Sequence, residues 1–323
     1  MTARRHHYLP QCYLRGFSQP RKGGRTHQVH VYDRSGKAFT ANIANIAVER
    51  DFNRVEVPGQ NPDILENGLA EFESELAVSL GRIAAQRTLD DADDKANLLN
   101  FIALASVRNP RLRGTFSEFE DRVMKSILEL STANKERWQS LETRAREAGY
   151  FEGKQNVSYE DIRDFVKRGE FKMELPREQH IVNEFKGFDA VLPHLFRRRW
   201  GLLRAPQGSS GFVTCDHPVF LYFSDPKLRG GLYGPGHGMN GTELVFPVTR
   251  MLAVVGTFEG VDVVRDLDED GVARVNGAAT AFAKQQVYAR DPNPLYSRQY
   301  AEKARRVAEL PNDTIFVVTR GEI

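Results

Sequence analysis

The residues richest in chemistry sit near the start of the chain, where His6 and His7 adjoin Tyr8-Leu9-Pro10-Gln11. Two imidazoles with near-neutral pKa values offer a base, an acid or a metal ligand. In an extended segment neighbouring side chains point opposite ways, so one histidine faces a given site and the other braces the segment. Glu66 and Glu73 lie seven residues apart in a helical pattern and share a face. Carboxylates on a partly apolar face need a partner or a metal. Arg108, at the end of the next helical stretch, is a candidate partner. Asp216 ends a β-rich run and adds a third carboxylate. Glu66, Glu73 and Asp216 offer oxygen ligands suited to Mg²⁺ or Mn²⁺. His6, His7, Arg108 and Asp216 offer proton transfer and charge stabilisation for a hydrolytic step. A Glu–Arg network that merely ties two helices together fits the same residues.

Basic clustering is the second chemical feature. Arg4 and Arg5 open the chain, and Arg197-Arg198-Arg199-Trp200 follow a helical stretch. Arginines beside an aromatic ring suit phosphate contact and base stacking. Cations at a helix C-terminus have an equally good electrostatic reason. The net charge of +2 selects no partner by itself. Three tempting motifs fail. The acidic run from Asp266 to Gly271 imitates a calcium loop, yet Gly277 stands where the last carboxylate belongs. It reads better as a hairpin turn between residues 261–264 and 272–275. Gly234-Pro235-Gly236-His237-Gly238 lacks the lysine of a phosphate-binding loop, and Gly208-Ser209-Ser210-Gly211 lacks the spacing of a nucleophile elbow.

These side chains must be positioned by surrounding elements. His27 to Tyr32 alternates as a strand, Asp33-Arg34-Ser35-Gly36 turns, and residues 37–43 return. Apolar residues at helical spacing mark helices over residues 63 to about 87, 90–107, 116 to about 148 as one long helix, a short one after Ser158, and 181–196. After Trp200 come short β-type runs at 201–204, 212–215, 219–222, 244–246, 252–255 and 315–318. One helix, from 276 to about 288, interrupts them. Strands at both ends with helices between predict an α+β fold. In it N- and C-terminal strands form a mainly antiparallel or mixed sheet, with the helical middle packed on it. The 323 residues, 41% hydrophobic, read as a single interlaced domain with sub-regions 1–60, 61–199 and 200–323. Cys12 and Cys215 are too few for a disulfide framework, which suits a reducing compartment. No signal-like apolar stretch follows the basic start, and no apolar run approaches membrane-spanning length. A cytoplasmic protein without a membrane partner is the expectation.

The opening block, His6-His7-Tyr8-Leu9-Pro10-Gln11 followed by Tyr13-Leu14-Arg15-Gly16-Phe17, resembles the signature of an uncharacterised family, domain of unknown function 4238. The resemblance continues through Ala47-Val48-Glu49-Arg50-Asp51-Phe52, Glu66, Glu73 and Phe101-Ile102-Ala103 to Arg108-Asn109-Pro110. It resumes at Thr214-Cys215-Asp216-His217-Pro218-Val219 and Phe246-Pro247-Val248-Thr249. Cys12 stands where an aromatic is usual, and Cys215-Asp216-His217 replaces a Ser-Asp-Asn type triplet. The resemblance implies candidate positions and no reaction. Together with the residue chemistry, the expected function is metal-assisted phosphodiester hydrolysis on RNA, DNA or a nucleotide. The alternative is a non-catalytic nucleic-acid-binding or regulatory protein. Convergence of His7, Glu73 and Asp216 would separate the two.

Overall fold

A computed structural model describes residues 5–21, 23–24, 26–150, 157–260, 263–298 and 303–317. The N-terminal part carries β1 (Arg5–His7), α1 (Gln11–Leu14), β2 (Gln19–Pro20), β3 (His27–Asp33), β4 (Lys37–Asn42) and β5 (Val48–Arg50). Helices α2 (Ile64–Gln86), α3 (Ala92–Val107), α4 (Pro110–Ser131), α5 (Lys135–Glu147), α6 (Tyr159–Arg168) and α7 (Arg177–Arg197) follow. The remainder is β6 (Arg199–Arg204), β7 (Thr214–Cys215), β8 (Phe220–Phe223), β9 (Thr242–Thr249), β10 (Leu252–Thr257), β11 (Val264–Asp266), α8 (Glu269–Phe282), β12 (Gln286–Ala289), β13 (Leu295–Tyr296) and β14 (Arg305–Arg306). The fold is α+β.

Alternation along β3 buries Val29 and Val31 and leaves Gln28 and His30 half-buried. That strand pairs antiparallel with β12, Val31 opposite Tyr288, and β12 pairs in turn with β7. Residues from the two ends of the chain thus share one sheet, which β2 and β4 complete on β3. A second, mixed sheet runs β11-β6-β10-β9-β8, its strands antiparallel except for the β11–β6 pair. Tyr13 joins the layers. Its ring packs 5.1 Å from Phe101 on α3 and 5.3 Å from Phe246 on β9. Its hydroxyl bonds Thr214 at 2.6 Å and donates to the Pro247 carbonyl at 3.0 Å. A fully buried hydroxyl needs such partners, so the family-like block is anchored by packing and polar bonds together.

The chain divides into two compact units, Met1–Asn109 with Ile181–Ile323, and Pro110–His180. The first holds both sheets, α2, α3 and α8 around one apolar core. The second has little buried surface: no side chain of α4 or α5 is fully buried. Phe165 stacks on Phe171 at 4.8 Å there, and Tyr159 donates to the Thr132 carbonyl.

Four expectations about elements need correction. The helix over 116–148 is two, because Asn134 accepts from the Arg137 amide and caps a new start after Ser131. The acidic run near 268 is no hairpin turn. Asp268 accepts from the Gly271 amide at 2.7 Å, and Glu269 and Asp270 suit the first turn of α8. Val261 lies outside the described residues. Helix α8 therefore ends at Phe282, and residues 286–289 form the strand β12 rather than a helix. Residues 314–316 form a turn organised by Asp313, whose side chain accepts from the Ile315 amide, and no strand runs through 315–317. Val318 lies outside the described residues.

Candidate functional site

Strand β1 pairs antiparallel with β5, setting Arg5 opposite Arg50, His6 opposite Glu49 and His7 opposite Val48. Two non-glycine residues flank β5 in left-handed backbone, Ala47 at φ 50° and Asp51 at φ 56°. Such conformations are unfavourable for L-residues and concentrate where function over-determines the backbone. The alternation of β1 drives His6 inside, where it is buried, and leaves His7 half-buried on the opposite face.

His6 Nδ1 accepts the Asn53 amide hydrogen at 2.9 Å. A nitrogen that accepts from an amide carries no proton, so the neutral ring holds its hydrogen on Nε2. Its 4.0 Å approach to Glu66 is therefore not an ion pair. Asn53 is the hub of the cluster. Its Nδ2 donates to Glu66 Oε2 at 2.5 Å, and its Oδ1 accepts from Arg108 Nη2 at 2.6 Å. Arg108 also donates to the carbonyls of His7 at 3.0 Å and Tyr8 at 3.5 Å, and its guanidinium lies 5.3 Å from the Phe52 ring centroid. The α3 C-terminus thereby holds the N-terminal segment in place.

Glu73 stands one helical repeat beyond Glu66, half-buried, and accepts no hydrogen bond among the described residues. Burial pushes its carboxyl up to about 7; Arg108 pulls it down and Glu66 pushes it further up. Burial lowers the His7 imidazole, against a hydrogen bond to the Ile43 backbone and the charge of Glu66. The Nε2 of His7 is buried without a hydrogen-bond partner among the described residues. Cys12 faces the same carboxylate, and burial raises its thiol to about 11, which makes it a poor nucleophile.

Asp216 does not join this group. Its Oδ1 accepts from the Lys284 amide at 2.7 Å, and its Oδ2 from the Gln285 and Gln286 amides at 2.6 and 3.1 Å. It closes the turn between α8 and β12, and those three amides occupy the carboxylate. Burial still raises its carboxyl to about 6 against those donors. Among the described residues no three or more His, Cys, Asp and Glu side chains are grouped to hold a metal, so the expected trio of Glu66, Glu73 and Asp216 is not assembled.

The second basic cluster also divides. Arg198 is buried, with Nη1 on the Thr242 and Gly256 carbonyls and Nη2 on the His237 carbonyl and the Thr242 hydroxyl. Trp200 is buried too, donating to the Leu195 carbonyl and covering Gly256. Buried in this way, neither presents a surface to nucleic acid; Arg198 ties the start of β6 to β9 and β10, and Trp200 packs on β10. Arg197 and Arg199 are exposed. Arg5 is exposed and bonds Asn45, and Arg4 lies outside the described residues.

Residues 5–293 match the family model described as "Protein of unknown function (DUF4238)". The chain belongs to this family. No curated protein and no solved structure matches it. The DUF4238 match takes in every element that builds the polar cluster: β1, β5, α2 and α3. Sequence reasoning missed Asn53, although it directly follows the Asp51-Phe52 end of a quoted family block. It also missed Tyr288, which hydrogen-bonds the buried Tyr8 hydroxyl behind the cluster.

Proposed function

We propose that the face carrying His7, Glu66 and Glu73 hydrolyses phosphodiester bonds of a nucleic acid or nucleotide. One observation supports this reading: Glu73 is a half-buried carboxyl that accepts no hydrogen bond among the described residues, and burial pushes it up to about 7 against the pull of Arg108. A general acid–base group works best when its pKa lies near the operating pH. Glu73 takes the proton from the attacking water or returns it to the leaving oxygen. His7 keeps an unpartnered Nε2 that is buried, so it serves the complementary transfer only where substrate binding exposes it. Glu66, one helical repeat before Glu73 on α2, would hold Mg²⁺ or Mn²⁺ with the substrate phosphate completing the coordination, as one carboxylate can suffice, which leaves Glu73 for proton transfer. When bound, that ion neutralises developing charge and acidifies water. Arg5 and Arg50, exposed and directly opposite across β1 and β5, are like charges that an anion would reconcile, although Arg50 also lies 3.5 Å from Asp51.

A second reading, nucleic-acid binding or regulation without catalysis, is favoured by the bonds already made by His6, Asn53 and Arg108, which brace the fold, and by Asp216, whose carboxylate serves the α8–β12 turn instead of converging with His7 and Glu73. Both cysteines are thiols, which supports placing either activity in the cytoplasm. None of the described helices is long and apolar enough to cross a membrane.

The test is to incubate purified protein with single-stranded RNA, DNA and common nucleotides in Mg²⁺, Mn²⁺ or chelator. Glu73→Gln and His7→Ala run alongside. Metal-dependent turnover lost in both variants supports hydrolysis. Turnover retained in both marks a contaminant, and salt-sensitive binding without turnover supports the second reading.

A further inference from the structure

Away from the Glu73 region, a cleft of about 390 Å³ opens between residues 209–211, the start of α8, and the segment carrying β13 and β14. Its shape is fixed by residues that leave no freedom. Gly211 has φ +76°, and a Cβ there would stand 2.0 Å from the Arg250 carbonyl oxygen. Asn276, fully buried on α8, accepts from the Val213 amide and donates to the carbonyls of Gly211 and Leu295, so one side chain ties opposite walls together. Gly277 lets α8 approach Ser297 so closely that a Cβ would lie 1.8 Å from its carbonyl oxygen. A cleft built this way is preformed and needs little ordering to take a ligand.

The chemistry of the lining narrows the ligand. Val272 and Leu295 supply an apolar surface, and Ser209 and Ser210 supply hydroxyls. One guanidinium, Arg306, stands there with its Nη1 bonded to the Asn293 side chain at 3.2 Å. One carboxyl, Glu269, occupies the first turn of α8. Helix starts usually suit phosphate, but Glu269 sets a negative charge at this one and disfavours a polyanion. The volume is at the small end of ligand clefts, about 300–1,000 Å³, which suits a metabolite. A ligand matching one carboxylate, one guanidinium and an aliphatic surface is a small zwitterion.

We propose that this cleft binds a free aliphatic α-amino acid, its carboxylate on Arg306, its ammonium on Glu269, and its side chain against Val272 and Leu295. The site shares no residue with the Glu73 region, so it stands or falls separately from the hydrolysis reading. Its β13–β14 wall begins after residue 293, where the family match ends.

The experiment is isothermal titration of the full chain with L-leucine, N-acetyl-L-leucine and L-leucinamide. Leucine should bind saturably. The derivatives lacking the ammonium or the carboxylate should bind at least about ten-fold more weakly, since each forfeits a charge-assisted hydrogen bond. Glu269→Gln should erase the discrimination against N-acetyl-leucine, and Arg306→Gln that against leucinamide. Both residues are exposed, and thermal melts confirm that the variants fold. Absence of saturable leucine binding, equal binding of all three probes, or leucine affinity unchanged in both variants would overturn the proposal.

Discussion

Glu73 and Asp216 are both acids pushed upward by burial, to about 7 and about 6, and both were expected in one metal site. Their surroundings differ in kind. Three backbone amides converge on Asp216, while Glu73 accepts no hydrogen bond among the described residues and faces only the charges of Arg108 and Glu66. A raised pKa therefore does not identify a functional acid by itself. What separates the two is whether the lone pairs are spent on the fold or kept for a proton, a metal or a substrate. The carboxylate of Asp216 is spent on the fold, whereas that of Glu73 keeps its lone pairs.

The largest expected effect tests the Asp216 side. Asp216→Ala leaves three amide hydrogens at the α8–β12 turn without their acceptor. Each buried unmet donor costs about 1–3 kcal/mol, so a loss of about 3–5 kcal/mol is expected after some water enters. Urea unfolding at pH 8 measures it. A loss below about 1 kcal/mol, the usual size for an undistinguished position, would leave Asp216 as uncommitted to the fold as Glu73 and erase the contrast.

Arg108 comes next, on the Glu73 side: it pulls the Glu73 carboxyl down and pins β1. Arg108→Ala removes bonds to Asn53 and to the His7 carbonyl and should cost about 3 kcal/mol in the same assay. Arg108→Lys should recover little, since a single ammonium cannot reproduce the planar fork. Full recovery by lysine would mean that charge, not geometry, holds the N-terminal segment.

How much of this was legible in the sequence follows from the same physics. The α+β layout was readable because periodicity reports which faces are buried, as in β3 and α2. The helical share of Glu66 and Glu73 was readable for the same reason, and Arg108 could be paired with them by charge. Asp216 misled because strand ends suit catalytic acids and turn-closing acids alike, and its amide donors lie about 70 residues downstream. Arg198 and Trp200 misled because a basic–aromatic run looks the same whether it faces solvent or satisfies buried carbonyls. Asp268 was hidden by its neighbours: an acidic run followed by glycine serves a turn, a calcium loop or a helix cap, and only the Gly271 amide decides.

Glu73→Gln gives the third effect, of opposite sign. An acid whose folded pKa lies above its ordinary value binds protons more tightly when folded, so stability falls as pH rises from about 4.5 to about 7. One pKa unit corresponds to about 1.4 kcal/mol, and with solvent screening of a half-buried group the loss by pH 8 is about 2 kcal/mol. Glu73→Gln removes that loss. It should match the native chain near pH 4.5 and exceed it at pH 8, while abolishing any turnover. A variant less stable at pH 8 would show that Glu73, like Asp216, is committed to the fold.

The smallest effect belongs to His7, and its pH dependence runs the other way. Its ring is bonded to the Ile43 backbone, and burial lowers its pKa below the ordinary 6.5. A base with a lowered folded pKa resists protonation in the fold, so the native chain loses stability as pH falls below 6.5, where the unfolded chain takes up the proton first. His7→Ala forfeits one hydrogen bond, about 1 kcal/mol at pH 8, and escapes the acid penalty. Its deficit should therefore shrink toward pH 5. Measured against Glu73→Gln, the two difference curves should slope oppositely between about pH 5 and 6.5, one set by an imidazole whose pKa is lowered on folding and the other by a carboxyl whose pKa is raised. A His7→Ala deficit that grows toward pH 5 would mean that the ring is protonated and paired with Glu66, and His7 could not then offer Nε2 as a base.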